Sequence, residues 1–68
     1  MLTPLRRERV LHQMSLYDLR GKTGISVSKL SLLERGIEQP REDEKGRLAK
    51  ALGVRVQDLF PEEAAYGK

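Results

Sequence analysis

No cysteine occurs in the 68 residues, which excludes a disulfide framework and thiolate metal ligation. The lack of thiols fits a reducing cytoplasm, the compartment expected for the chain. A long apolar run is also missing, since nothing approaches the roughly 20 residues that cross a bilayer. The opening MLTPLRRERV is charged too early for a secretory leader. Strand-like alternation, internal repeats and low-complexity tracts are absent as well. So are the catalytic signatures: no cysteine nucleophile, serine–base–acid set or Gly-rich phosphate loop can be assembled. A chain this short offers little pocket, and the lone His12 makes no zinc site by itself. The expectation is a binding protein rather than an enzyme, with no cofactor, metal, membrane partner or small-molecule ligand.

What is present is charge. Lys and Arg number 13 against 10 Asp and Glu, for a net +3, and charged residues make up 34% of the chain. This balance permits a polyanionic partner without requiring one, and an ordinary solvated surface accounts for it equally. The length suits a single small domain with an economical core.

Glycine and proline punctuate the chain. Thr3-Pro4 makes a helix start, Thr as cap and Pro in the first turn. The pattern predicts a first helix over residues 4–13. Ser15 caps a second over 16–23, with Asp18 completing an approximate capping box. Gly24 breaks it. Ser26 caps a third helix over 27–35, which Gly36 closes. After the IEQP loop, Glu42, Asp43 and Glu44 fall in the first turn of a fourth helix, where the dipole favours negative charge. That run is read as a helix start, not as a metal site. Leu48, Ala49, Ala51 and Leu52 form the apolar face of this helix and Gly53 ends it. VQDLF, residues 56–60, is a short fifth helix stopped by Pro61. Residues 1–61 are expected to form one all-α domain, and residues 62–68 a polar tail. His12 lies on the Leu5 and Arg9 side of the first helix and is expected as a partly buried packing residue.

The third helix holds two adjacent leucines, and helical neighbours diverge by about 100°. Leu30 and Leu33 lie about 60° apart and share the core, so Leu32 points about 160° away from Leu30. The outward face is Val27, Ser28, Ser31 and Leu32, with Lys29 on the flank. Gly24 supplies the positive φ of a sharp interhelical turn, and Ile25 plugs the corner. Helix, tight glycine turn and capped helix make a helix-turn-helix, whose second helix projects from the domain. Such a helix fits a DNA major groove about 12 Å wide. There leucine or valine packs on a thymine methyl, and serine bonds base edges or phosphates.

MSLYDLRGKTGISVSKLSLLERGIEQP and the later LAKALGVRVQDLF resemble the lambda-repressor-like (Cro/XRE) helix-turn-helix family, over about residues 5–60. ERG followed by Pro40, and LAKALGV, are the most specific parts. The resemblance implies a compact five-helix lambda-repressor-like fold with the helix-turn-helix in helices 2 and 3. It implies a sequence-specific regulator of transcription, of repressor type and of bacterial or phage kind, that binds double-stranded DNA. It also implies a homodimer on a palindromic operator, with recognition helices about 34 Å apart. An ion pair is implied between Arg9 and Glu34. Ser15 and Leu16 would abut the DNA backbone. Ser26, Val27, Ser28, Ser31 and Leu32 would face the groove, with Lys29 beside it. Arg35, Gln39 and Arg41 would follow phosphates, and Arg41 would reach toward a minor-groove edge. Val54, Val56, Leu59, Phe60 and Tyr66 are the candidates for the dimer surface, some of them shared with the core.

The departures are informative. Many members carry Gln at the positions of Leu16 and Val27, so polar readout is lost or moved. Arg20 stands where Ala is usual, so it must turn outward or the helices must splay. Glu8 and Lys45 take positions that are often apolar. The apolar Val27–Leu32 face and the acid cluster at 42–44 also suit another partner, a second regulatory protein bound through the same fold.

Overall fold

The computed structural model describes residues 3–61. Its helices are α1 (Pro4–Leu11), α2 (Leu16–Thr23), α3 (Val27–Glu34), α4 (Glu42–Leu52) and α5 (Val56–Leu59), with no strand among the described residues. The expected tail over 62–68, and Tyr66 within it, lie outside the described residues.

Each helix begins where a side chain takes an otherwise orphaned N–H. Thr3 Oγ1 accepts from the Arg6 N–H at 3.2 Å, with Pro4 beginning the helix. Ser15 and Asp18 form a full capping box, each side chain accepting from the other's N–H at 3.0 and 2.9 Å. Ser26 Oγ accepts from the Lys29 N–H at 3.1 Å. The carboxylates of Glu44 and Asp58 reach back to the N–H groups of Arg41 and Arg55, both at 2.9 Å.

The helix ends follow from backbone sterics. Gly24 closes α2 at φ +76° and Gly36 follows α3 at φ +75°, a region a Cβ disfavours. The Ile37 N–H then returns to the Leu32 carbonyl at 3.0 Å, tying off the last turn of α3. The first helix is shorter than its pattern predicts. It ends at Leu11, and Gln13 takes φ +57°. Arg9 stabilises this turn through Nη1, which donates to the Met14 carbonyl at 2.7 Å. His12 therefore sits at the helix end and is exposed, contrary to expectation, with its imidazole 3.6 Å from the Glu8 carboxylate.

Leu5, Leu19, Ile25, Leu30, Leu33, Leu48, Ala49, Leu52 and Leu59 make the buried core. Every helix contributes, and each leucine withdrawn from water is worth about 1.5–3 kcal/mol. Leu59 is only 2% exposed, which makes it a core residue and not a candidate for an interface. A four-residue α5 has one apolar side to offer, and the core takes it. Val54, Val56 and Phe60 pack against the same core and remain partly accessible. Arg20 turns outward and is exposed. Lys45 buries its stem and brings Nζ to 3.0 Å from the Glu42 carboxylate. Buried Thr23 bridges the turn: its hydroxyl donates to the Leu19 carbonyl at 2.8 Å and accepts from the Ile25 N–H at 3.2 Å.

Candidate nucleic-acid interface

Two ion pairs hold α3, one near each end. At its C-terminal end Arg9 and Glu34 meet fork to fork: Nε donates to one carboxylate oxygen and Nη2 to the other at 3.1 Å. The Thr3 hydroxyl adds a bond to the Glu34 carbonyl at 2.6 Å. Glu34 thus joins the end of α3 to both ends of α1, through its backbone to the cap Thr3 and through its side chain to Arg9 in the last turn.

At the other end Ser26 caps the helix, and Lys29 Nζ lies 3.0 Å from Glu44 Oε1 on α4. Glu44 is 4% exposed. Its carboxyl is held below the usual carboxylate range by the Arg41 backbone N–H, against the opposing effect of burial, with further help from Lys29 and Arg41. Lys29 is therefore directed at a carboxylate within its own chain.

Between these ties lies the uncovered side of α3. Leu16, Val27, Ser28, Ser31, Leu32 and Arg35 line one shallow depression. Leu33 is buried, while Leu32 is half-buried and does not stand clear of the surface. Leu16, at the start of α2, packs partly on the core, so the outer face grades into the interior. The depression is an apolar patch carrying two hydroxyls and flanked by a guanidinium. It can receive a flat, methyl-bearing edge with hydrogen-bonding groups beside it.

The remaining expected positions surround this patch. The Ser15 and Ser26 hydroxyls accept capping bonds, and each keeps its own O–H to donate. Asp18 puts a carboxylate beside Ser15, and the Ser15 N–H holds it below its usual range, which opposes a phosphate at that point. Arg35 is exposed, with Nε 3.4 Å from the Ser31 carbonyl. Gln39 and Arg41 are exposed on the loop that follows. The Arg41 guanidinium lies 3.7 Å from Asp43 and 3.6 Å from Glu44.

Sequence reasoning overlooked three features. Glu44 grips Lys29, and no local pattern joins residues so far apart in the chain. Arg47 on α4 donates to the Thr23 carbonyl at 3.4 Å, and a basic residue one turn into a helix gives no sign of this. Tyr17 is 72% exposed beside Leu16. That position was legible, because two residues before Leu19 lies on the opposite side of a helix. Among the described residues no helix is long and apolar enough to cross a membrane.

Residues 5–62 match the sequence model of the Cro/C1-type HTH DNA-binding domain. The chain belongs to this family. One relative is an uncharacterized HTH-type transcriptional regulator of Methanocaldococcus jannaschii, 32% identical over 60 residues, covering 88% of this chain and 91% of the relative. No solved structure matches the chain. As a Cro/C1-type DNA-binding domain, it carries its helix-turn-helix in α2 and α3. Thr23, Gly24 and Ile25 shape the turn, and the depression lies on the side of α3 that the core leaves open.

Proposed function

We propose that this protein is a sequence-specific regulator of transcription, of repressor type, that binds double-stranded DNA as a homodimer on a palindromic operator. The observation that carries the reading is the open face of α3, whose small and apolar side chains let the helix backbone approach base edges closely. In this reading Leu32, with Val27 and Leu16 beside it, packs on a thymine methyl. Ser28 and Ser31 meet base edges. Ser26, Arg35, Gln39 and Arg41 meet the phosphate backbone, and the Asp18 carboxylate disfavours the phosphate contact expected at Ser15. Lys29, facing Glu44, acts by holding the helix. Two copies would associate through the accessible parts of Val54, Val56 and Phe60, and regulation would follow from occupying DNA that polymerase needs. The relative's description as an HTH-type transcriptional regulator supports the regulator part of this reading.

The test is a binding selection from a random duplex library at near-physiological salt. A two-fold symmetric motif is the expected outcome. Leu32→Ala should then relax preference at one T·A position, by about fourfold for a methyl contact worth ~0.8 kcal/mol. A folded protein that selects no motif sinks the reading. The depression would then belong to a partner protein, which salt-insensitive binding would reveal.

A further inference from the structure

The acidic first turn of α4 does more than complement its own helix dipole. Glu44 gathers two cations from the reading surface. Its Oε1 lies 3.0 Å from Lys29 Nζ on α3 and accepts the Arg41 N–H at 2.9 Å. Its Oε2 lies 3.6 Å from Arg41 Nε. Asp43 extends the chain, 3.7 Å from Arg41 Nε and 3.3 Å from Arg47 Nη2. Arg47 ends it on the last carbonyl of α2, at 3.4 Å. A continuous run of charges therefore leads from the end of α2, through the first turn of α4 and the loop residue Arg41, to the flank of α3.

A cation held by a carboxylate at 3 Å answers a DNA phosphate only by leaving that carboxylate. Lys29, on the flank of α3, is the cation held in this way, whereas the Arg41 guanidinium lies farther off at 3.6 Å and is largely exposed. Resting on the DNA-binding reading above, we propose that Glu44 is a positioning residue for base recognition. It withholds Lys29 from indiscriminate phosphate contact and holds α3 in its reading orientation. The carboxylate thus lowers affinity for random DNA and raises the ratio by which the operator is preferred.

The experiment compares wild type, Glu44→Gln and Lys29→Met. Two fluorescent duplexes are titrated, one carrying the selected motif and one of scrambled sequence, over a series of salt concentrations. The glutamine side chain keeps an acceptor for the Arg41 N–H while removing the charge. Glu44→Gln should bind scrambled duplex several-fold more tightly at low salt. The dependence of log K on log salt should steepen by about 0.9 as the freed Lys29 reaches a phosphate, and the preference for the motif should fall. Lys29→Met should leave the wild-type salt slope unchanged, because Lys29 makes no phosphate contact there; this arm stands even if Glu44→Gln fails to fold.

A Lys29→Met protein whose slope is shallower by about one contact overturns the proposal. So does a folded Glu44→Gln protein with unaltered slope and preference, or one that weakens on both duplexes alike, which is the mark of a purely structural role. A wild-type protein that treats the two duplexes identically instead sinks the regulator reading on which the proposal stands.

Discussion

The two ends of α3 are held by the same kind of bond in different ways. At the C-terminal end a guanidinium meets Glu34 through two donors, uses a third on the Met14 carbonyl, and is reinforced by Thr3. At the N-terminal end a flexible ammonium meets Glu44 at one oxygen, with the Lys29 side chain 30% exposed. Arginine in a fork is fixed in direction, whereas lysine is a mobile point charge. One end is therefore an anchor and the other an adjustable tie. Three perturbations test this contrast.

The largest effect is expected at the anchor. Glu34→Ala leaves Arg9 enclosed without its partner, and removing one member of such a pair costs about 3–5 kcal/mol. That is most of what a domain of this size holds. Far-UV circular dichroism at 25 °C should show a largely unfolded protein. A variant that melts within a few degrees of wild type would mean that the anchor is no stronger than the tie.

Acidification should act next, and on the tie. The Glu44 carboxyl titrates below its usual range in the folded chain. Its stabilising share is therefore complete above the unfolded value and is lost as the pH falls through the lower folded one. The melting temperature should hold near neutrality and drop below about pH 4. Exposed Asp18 and partly buried Asp58 shift in the same direction, Asp18 through the Ser15 N–H and Asp58 through the Arg55 side chain and then its N–H. Glu44→Gln should flatten part of this decline, and an identical acid limb in that variant would remove Glu44 from the account.

The smallest effect is expected from Lys29→Met. The lysine end of this pair is partly exposed, and exposed ion pairs contribute about 0.2–1 kcal/mol. Buried Glu44 keeps the Arg41 N–H and guanidinium facing it when Lys29 is removed. Thermal melting should shift by a few degrees at most. A loss comparable to that of Glu34→Ala would erase the contrast between the two ends.

Much of this architecture is legible residue by residue. Thr3, Ser15 and Ser26 as caps, and Gly24, Gly36 and Gly53 as stops, act where the chain alone predicts, because capping and positive φ are local physics. The Arg9–Glu34 pair was legible only through family resemblance. The end of α1 was not legible. Gln13 carries no stop signal, and the turn depends on an Arg9 side chain already engaged with α3. Leu59 was ambiguous for a similar reason, since four helical residues hold too little periodicity to separate a core face from an interface. The pairing of Lys29 with Glu44 depends on how α4 docks, which no local window contains.

The length of α3 limits how much sequence it can read. Eight residues at 1.5 Å each span about 12 Å, and base pairs rise 3.4 Å apart. In the proposed reading, one copy of the helix would inspect roughly four base pairs, a word that recurs by chance every few hundred positions, while a genome offers about a million or more competitors. Rarity would then come from outside the helix, from the proposed second copy reading a second word or from the stiffness of the DNA between them. In informational terms, this fold supplies one short syllable, and an address needs at least two.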